Sequence, residues 1–142
     1  MGWHTLHAVP VGERGSDIDH VVIGPGGVFT VNTKTHPGGN VWVGERSVLV
    51  NGSRTQYLRN SRFEAERTAR LLQAVAGGPV RVHAVIAVAA AERLVVKAQP
   101  SDVTVVGAAD IARWFARLPD RLVEIDVDAL YGWARLSTTW AS

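Results

Sequence analysis

Two runs of alternating side chains joined by Gly24-Pro25-Gly26-Gly27 constrain this chain more than any other feature of its sequence. Proline presets one backbone dihedral and the glycines accept positive φ, so these four residues read as a tight turn. The flanking segments, 17–23 and 28–35, then pair as an antiparallel hairpin. Closing the loop over Gly24 to Gly27 sets Ile23 against Val28; counting outward sets Asp19 against Asn32 and Asp17 against Lys34. Strand side chains alternate, so Asp17, Asp19, Asn32 and Lys34 share one face while Ile18, Val22, Phe29 and Val31 take the other. Directly opposed Cβ atoms lie about 4.5–5.5 Å apart, within reach of one divalent ion bridging Asp19 and the residue at 32.

The remaining pattern surrounds this hairpin with a mixed α/β architecture. Residues 3–11 read as a preceding strand, and Glu13-Arg14-Gly15-Ser16 supplies the turn after it. Pro37-Gly38-Gly39 leads into a strand at 41–43, and 47–50 returns to Asn51-Gly52, so the N-terminal third predicts an antiparallel meander. From Ser61 the period becomes helical, with Phe63, Leu71, Leu72 and Val75 recurring among Glu, Arg and Ala until Gly77-Gly78-Pro79 stops the run. Val80 to Val88 is almost continuously apolar, as in a strand covered on both faces, and implies a right-handed crossover onto the sheet. Short strands at 94–97 and 103–106 and helices at about 109–117 and 127–136 complete the expectation. The fold class is α/β, of mixed α+β type: an antiparallel meander feeding one crossover helix and a further strand, with two short C-terminal helices packed on the sheet. A chain of 142 residues is long enough for one good core and short for two, so 1–142 is expected to form one domain.

Composition excludes several classes of chemistry. The absence of cysteine removes disulfides and thiolate metal sites and fits a reducing compartment, so a cytoplasmic location is expected. No apolar run is long enough to span a membrane and no leader is expected. Fifteen Lys and Arg against 13 Asp and Glu give a net charge of only +2, so charge placement matters more than the total. None of the five histidines has the i, i+4 spacing of a helical zinc motif. The turn at Gly24 to Gly27 is no phosphate-binding loop, because no Gly-Lys-Ser/Thr follows it.

The ordered run Gly-Ser-Asp-Ile-Asp-His-Val-Val-Ile-Gly-Pro-Gly-Gly-Val-Phe-Thr-Val-Asn-Thr-Lys, ending at Lys34, resembles the heart of the nuclease-related domain family, a branch of the restriction-endonuclease-like superfamily. The similarity continues through the Pro-Gly-Gly turn, the strand around Trp42, the helix after Asn60 and the strand around Val85, a core of residues 2–90 with a C-terminal extension at 91–142. The resemblance implies Mg²⁺- or Mn²⁺-dependent hydrolysis of phosphodiester bonds in nucleic acid, DNA foremost. It also implies an aspartate on the second strand and an acid-x-lysine on the third. Asp19 matches the aspartate, and Lys34 matches the lysine that orients water and stabilises developing charge. Asn32 stands where the pattern has Glu or Asp, offering a carbonyl oxygen without a negative charge, so metal is expected to be held weakly by Asp19 and Asn32. Some members of the superfamily carry the acid on the following helix, which makes Glu64 or Glu66 the candidate substitute. The resemblance also implies a helix before the first strand, often the source of another acid, and residues 3–11 are expected to be strand, so no such helix is expected within 1–142.

Arg54, Arg59, Arg62, Arg67 and Arg70 crowd one stretch and are candidates for phosphate contacts. Arg62, Glu66 and Arg70 equally suit a solvated i, i+4 ladder. Tyr57 and Trp42 suit base stacking or ordinary packing, Asp17 suits pairing with Lys34, and Trp114, Trp133 and Trp140 suit completion of the core. The alternative to a nuclease is a non-catalytic nucleic-acid-binding or protein-assembly module on the same fold, as a homo-oligomer or beside an additional domain. An apolar surface at Trp133 and Trp140 would mark the assembly role.

Overall fold

The computed structural model describes the backbone of residues 3–11, 16–122 and 124–135, with their side chains except at 6–11, 16–19, 124–125 and 133. In chain order the elements are β1 (His4–Val11), β2 (Ser16–Gly24), β3 (Gly27–Thr35), β4 (Asn40–Val43), β5 (Val48–Val50) and β6 (Ser53–Arg54). They continue with α1 (Tyr57–Ala76), β7 (Val82–Ala89), β8 (Arg93–Val96), β9 (Val103–Gly107), a 3₁₀ turn (Ala108–Asp110), α2 (Ile111–Ala116) and α3 (Glu124–Ala134).

The hairpin forms in the expected register. Ile23 pairs with Val28 and Gly24 with Gly27, leaving Pro25 and Gly26 as the turn. Gly27 has φ +130°, which only glycine adopts without strain, and a Cβ at Gly24 would run into the Trp3 ring. After α1, β7 lies parallel to β3 and β9 parallel to β7, giving a five-stranded sheet in the order β1-β2-β3-β7-β9.

The predicted meander is divided. β4 leaves the first sheet at the Pro-Gly-Gly turn and pairs antiparallel with β5 and parallel with β8, forming a second sheet in the order β6-β5-β4-β8. The helix also starts earlier than its apolar pattern suggests, at Tyr57 instead of Ser61. Its buried stripe is Leu58, Ser61, Ala65, Thr68, Leu71 and Leu72, whereas Phe63 and Val75, expected on that stripe, are 57% and 40% exposed. Gly77 ends it in the left-handed conformation, its N–H donating to the Gln73 carbonyl.

Both faces of the first sheet are covered. On one, Val21, Ile23 and Val28 pack with Leu71 and Leu72 of α1 and Val127 and Leu130 of α3. Farther along the same side, Ala84, Ile86 and Val105 meet Leu58 and Ala65 of α1 and Val41, Val43 and Val48 of the second sheet. On the opposite face Phe29, Val31 and Val85 lie under Trp3, Ile111, Trp114 and Phe115. Fully burying one such aliphatic or aromatic side chain contributes about 1.5–3 kcal/mol, so α1, which enters both clusters on its side, is fixed firmly against β3. Among the described residues no helix is long and apolar enough to cross a membrane.

Candidate active site

Alternation along β3 turns Thr30, Asn32 and Lys34 toward α1. The helix answers with polar residues at Tyr57, Ser61, Glu64 and Thr68, spacings of three and four that keep them on one side. The two sets meet. Asn32, only 8% exposed, donates from Nδ2 to a carboxylate oxygen of Glu64. One strand step farther, Lys34 Nζ sits 4.8 Å from the centroid of the Tyr57 ring, a cation–π contact. Beyond β3, His36 stacks on Tyr57 and its Nε2 lies 2.9 Å from the Tyr57 hydroxyl. A polar seam therefore runs between strand and helix, from the Asn32–Glu64 pair to the Lys34–Tyr57–His36 group.

Of the sequence-derived candidates, Asn32, Lys34 and Glu64 come together in this seam. Asp17 and Asp19 lie on β2, and their side chains fall outside the described residues. The β2–β3 ladder runs from Gly24↔Gly27 to His20↔Val31, so position 19 is the next along β2. Tyr57 and His36 had no assigned part in catalysis. The signals that point to them are the continuation 32, 34, 36 of the β3 face and the helical spacing of the four polar residues on α1. Two buried hydroxyls flank the seam: Thr30 and Thr68 are both fully buried with no hydrogen-bond partner. An unmade bond of this kind costs about 1–3 kcal/mol.

The arginine cluster divides. Arg62 does not join a ladder with Glu66 and Arg70; its Nε donates to both carboxylate oxygens of Asp102 at 2.8 Å, tying α1 to the entry of β9. Arg54, Arg59 and Arg70 are exposed, and Arg67 is half-buried and engaged. Arg59, Asn60, Arg62, Phe63 and Glu66 line a shallow, open depression on α1. Trp42 is 40% exposed on the second sheet, and Trp114 packs in the aromatic cluster against Phe29. The side chain of Trp133 and all of Trp140 lie outside the described residues.

Among the described residues no three His, Asp or Glu side chains converge as a metal cluster. His83, on the far face of the sheet, is held by Thr104 at 2.8 Å and packs against Phe29 and Trp114. Burial lowers its pKa, with Asp102 opposing the shift and Arg121 adding to it.

Residues 1–89 match the family model described as nuclease-related domain. The chain belongs to the nuclease-related domain family. The matched span of this nuclease-related domain runs from β1 through β7 and contains the hairpin, α1 and the entire seam. Its mixed α/β core is consistent with the restriction-endonuclease-like superfamily. No curated protein and no solved structure matches the chain.

Proposed function

We propose that the chain is a metal-dependent phosphodiesterase acting on DNA, with the seam between β3 and α1 as its active site. The observation that carries this reading is the hydrogen bond from Asn32 to Glu64. It supports a carboxylate on the helix in place of the acid missing from strand position 32. Donation by Nδ2 leaves Asn32 Oδ1 as an acceptor, so the donor set joins a neutral oxygen to the Glu64 carboxylate, with Asp19 as the further acid. Hard oxygen donors of this kind fit Mg²⁺ or Mn²⁺. The ion, when bound, polarises the phosphate and promotes ionisation of a water.

The protein's own groups do the positioning. Asn32 donates to the Glu64 carboxylate and so narrows the orientations it can take. Tyr57 keeps the Lys34 ammonium at the seam, where it stabilises charge on the phosphoryl oxygens as water oxygen bonds to phosphorus and the ester bond breaks. His36 fixes Tyr57 by its hydroxyl. Arg54, Arg59 and Arg70 are the exposed cations proposed to contact flanking phosphates, and Arg62 contributes only if it leaves Asp102. A cytoplasmic setting accords with the absence of cysteine.

The test is cleavage of single- and double-stranded DNA during Mg²⁺ and Mn²⁺ titration, beside Asp19→Ala, Lys34→Ala and Glu64→Gln. Cleavage should require metal and fall by about 10²-fold or more in each variant. Activity undiminished in Glu64→Gln would sink the relocated acid. The second reading, a non-catalytic binding module, is favoured by the neutral Asn32, and it predicts nucleic-acid binding with no cleavage even for Asn32→Asp.

A further inference from the structure

Among the described residues, neither core nor helix covers one face of the second sheet. Its inner residues Val41, Val43 and Val48 are buried. Cross-strand partners share a face, so the register Arg54↔Leu49, Leu49↔Trp42 and Trp42↔Val95 lays one row across all four strands on the outer side. Trp42 and Val95 in that row are 40% and 39% exposed. A second row pairs exposed Asn40 with exposed Arg93. A Cβ at Gly44 would strike the indole of Trp42, so the bare glycine gives the ring room to lie along its strand.

Charge gathers here. Segments 40–59 and 92–97 carry five Arg or Lys against two Glu, whereas the rest of the chain has ten against eleven. The excess of positive charge therefore lies on and beside this sheet, and neither outward row contains a carboxylate. We infer that this face binds single-stranded nucleic acid, with Trp42 stacking on a base and Arg54 and Arg93 holding the phosphates to either side.

Size argues against a protein partner. Four strands spaced about 4.8 Å apart and about 13 Å long present roughly 250 Å². A stable protein interface takes about 800 Å² from each partner. One exposed aromatic ring between arginines is enough for a base and its phosphates, because every base has a face to stack. Duplex bases are already stacked, which selects the single strand. Arg54 lies three residues before Tyr57 in the chain, so this row begins close to the start of α1.

The inference rests on the nucleic-acid part of the reading above but not on cleavage, and its test omits metal. In EDTA, fluorescence anisotropy of a labelled oligothymidylate should show binding stronger than that of the matched duplex. Trp42→Ala should weaken it about 5- to 100-fold while Trp42→Phe retains most of it. Arg54→Ala and Arg93→Ala should each lower the slope of log affinity against log salt by about one. Arg113→Ala, which removes the exposed partner of Asp110 beside α2, should bind as the wild type does. Unchanged binding in a folded Trp42→Ala, judged by circular dichroism, would overturn the inference, as would a wild-type dimer that this variant dissolves. A protein that cuts with Mg²⁺ but binds without Trp42 sinks only this inference. One that binds through Trp42 but never cuts sinks only the nuclease reading.

Discussion

Asn32 is the residue on which the chemistry of the seam turns, because its amide makes one neutral donor face one carboxylate. Asn32→Asp replaces that bond by two carboxylates in contact, and like charges at such a distance resist joint ionisation. In EDTA the variant should be less stable than the wild type by about 1–3 kcal/mol, the scale of a buried polar group left unpaired. A divalent ion that binds only the folded form restores stability by mass action. Thermal melting should therefore show a larger rise on adding Mg²⁺ or Mn²⁺ in Asn32→Asp than in the wild type, and equal rises would deny the seam a cation site. The sequence makes position 32 conspicuous, since its place in the hairpin follows from a two-residue period anchored at a Pro-Gly turn. It leaves Glu64 and Glu66 open as substitutes, because the helix cannot be rotated into register against β3 without a contact. Lys34 shows the same limit: hairpin counting sets position 34 opposite 17 but says nothing of its contact with Tyr57, which comes from an element beyond the second sheet.

At the level of elements, α1 carries the argument, since it closes the core and bears half of the seam. Its buried stripe mixes Leu71 and Leu72 with Ser61 and Thr68, while Phe63 and Val75 face outward. Leu72→Ala should cost about 2–5 kcal/mol in urea unfolding, as the side chain is fully buried between sheet and α3. Phe63→Ala should change stability by only about 0.5 kcal/mol, the scale of exposed sites. A larger loss from Phe63→Ala than from Leu72→Ala would mean the helix is rotated from the position described. This mixed stripe explains why the first turn of α1 was illegible: the apolar period is interrupted by residues that serve the seam, and Gln56 makes no side-chain cap bond. The second sheet was hidden for another reason. β6 is two residues long, and the pairing of β4 with β8 joins Asn40 to Arg93 across α1 and β7, a contact with no local signature.

Across the whole molecule, the covered sheet creates a dependence on pH through His83. β7 is enclosed on both sides, so a histidine on it loses solvent even where it faces aromatic rings, and burial lowers its pKa below the ordinary value. Asp102 pulls the other way and Arg121 reinforces burial. In the unfolded chain His83 titrates near about 6.5, so as pH falls below that value the unfolded state takes up the proton first. Stability contributed by neutral His83 is thus fully present above the unfolded pKa. It is lost progressively as pH drops through the window down to the folded pKa, and the loss levels off below it. His83→Gln keeps a group able to bond Thr104 and removes the titration. Urea midpoints measured between pH 8 and pH 5 should fall more steeply for the wild type than for His83→Gln, the difference opening only below about pH 6.5. Parallel curves would place the acid sensitivity elsewhere. A wild type less sensitive than the variant would mean that Asp102 outweighs burial and that His83 is more readily protonated in the folded protein than in the unfolded chain.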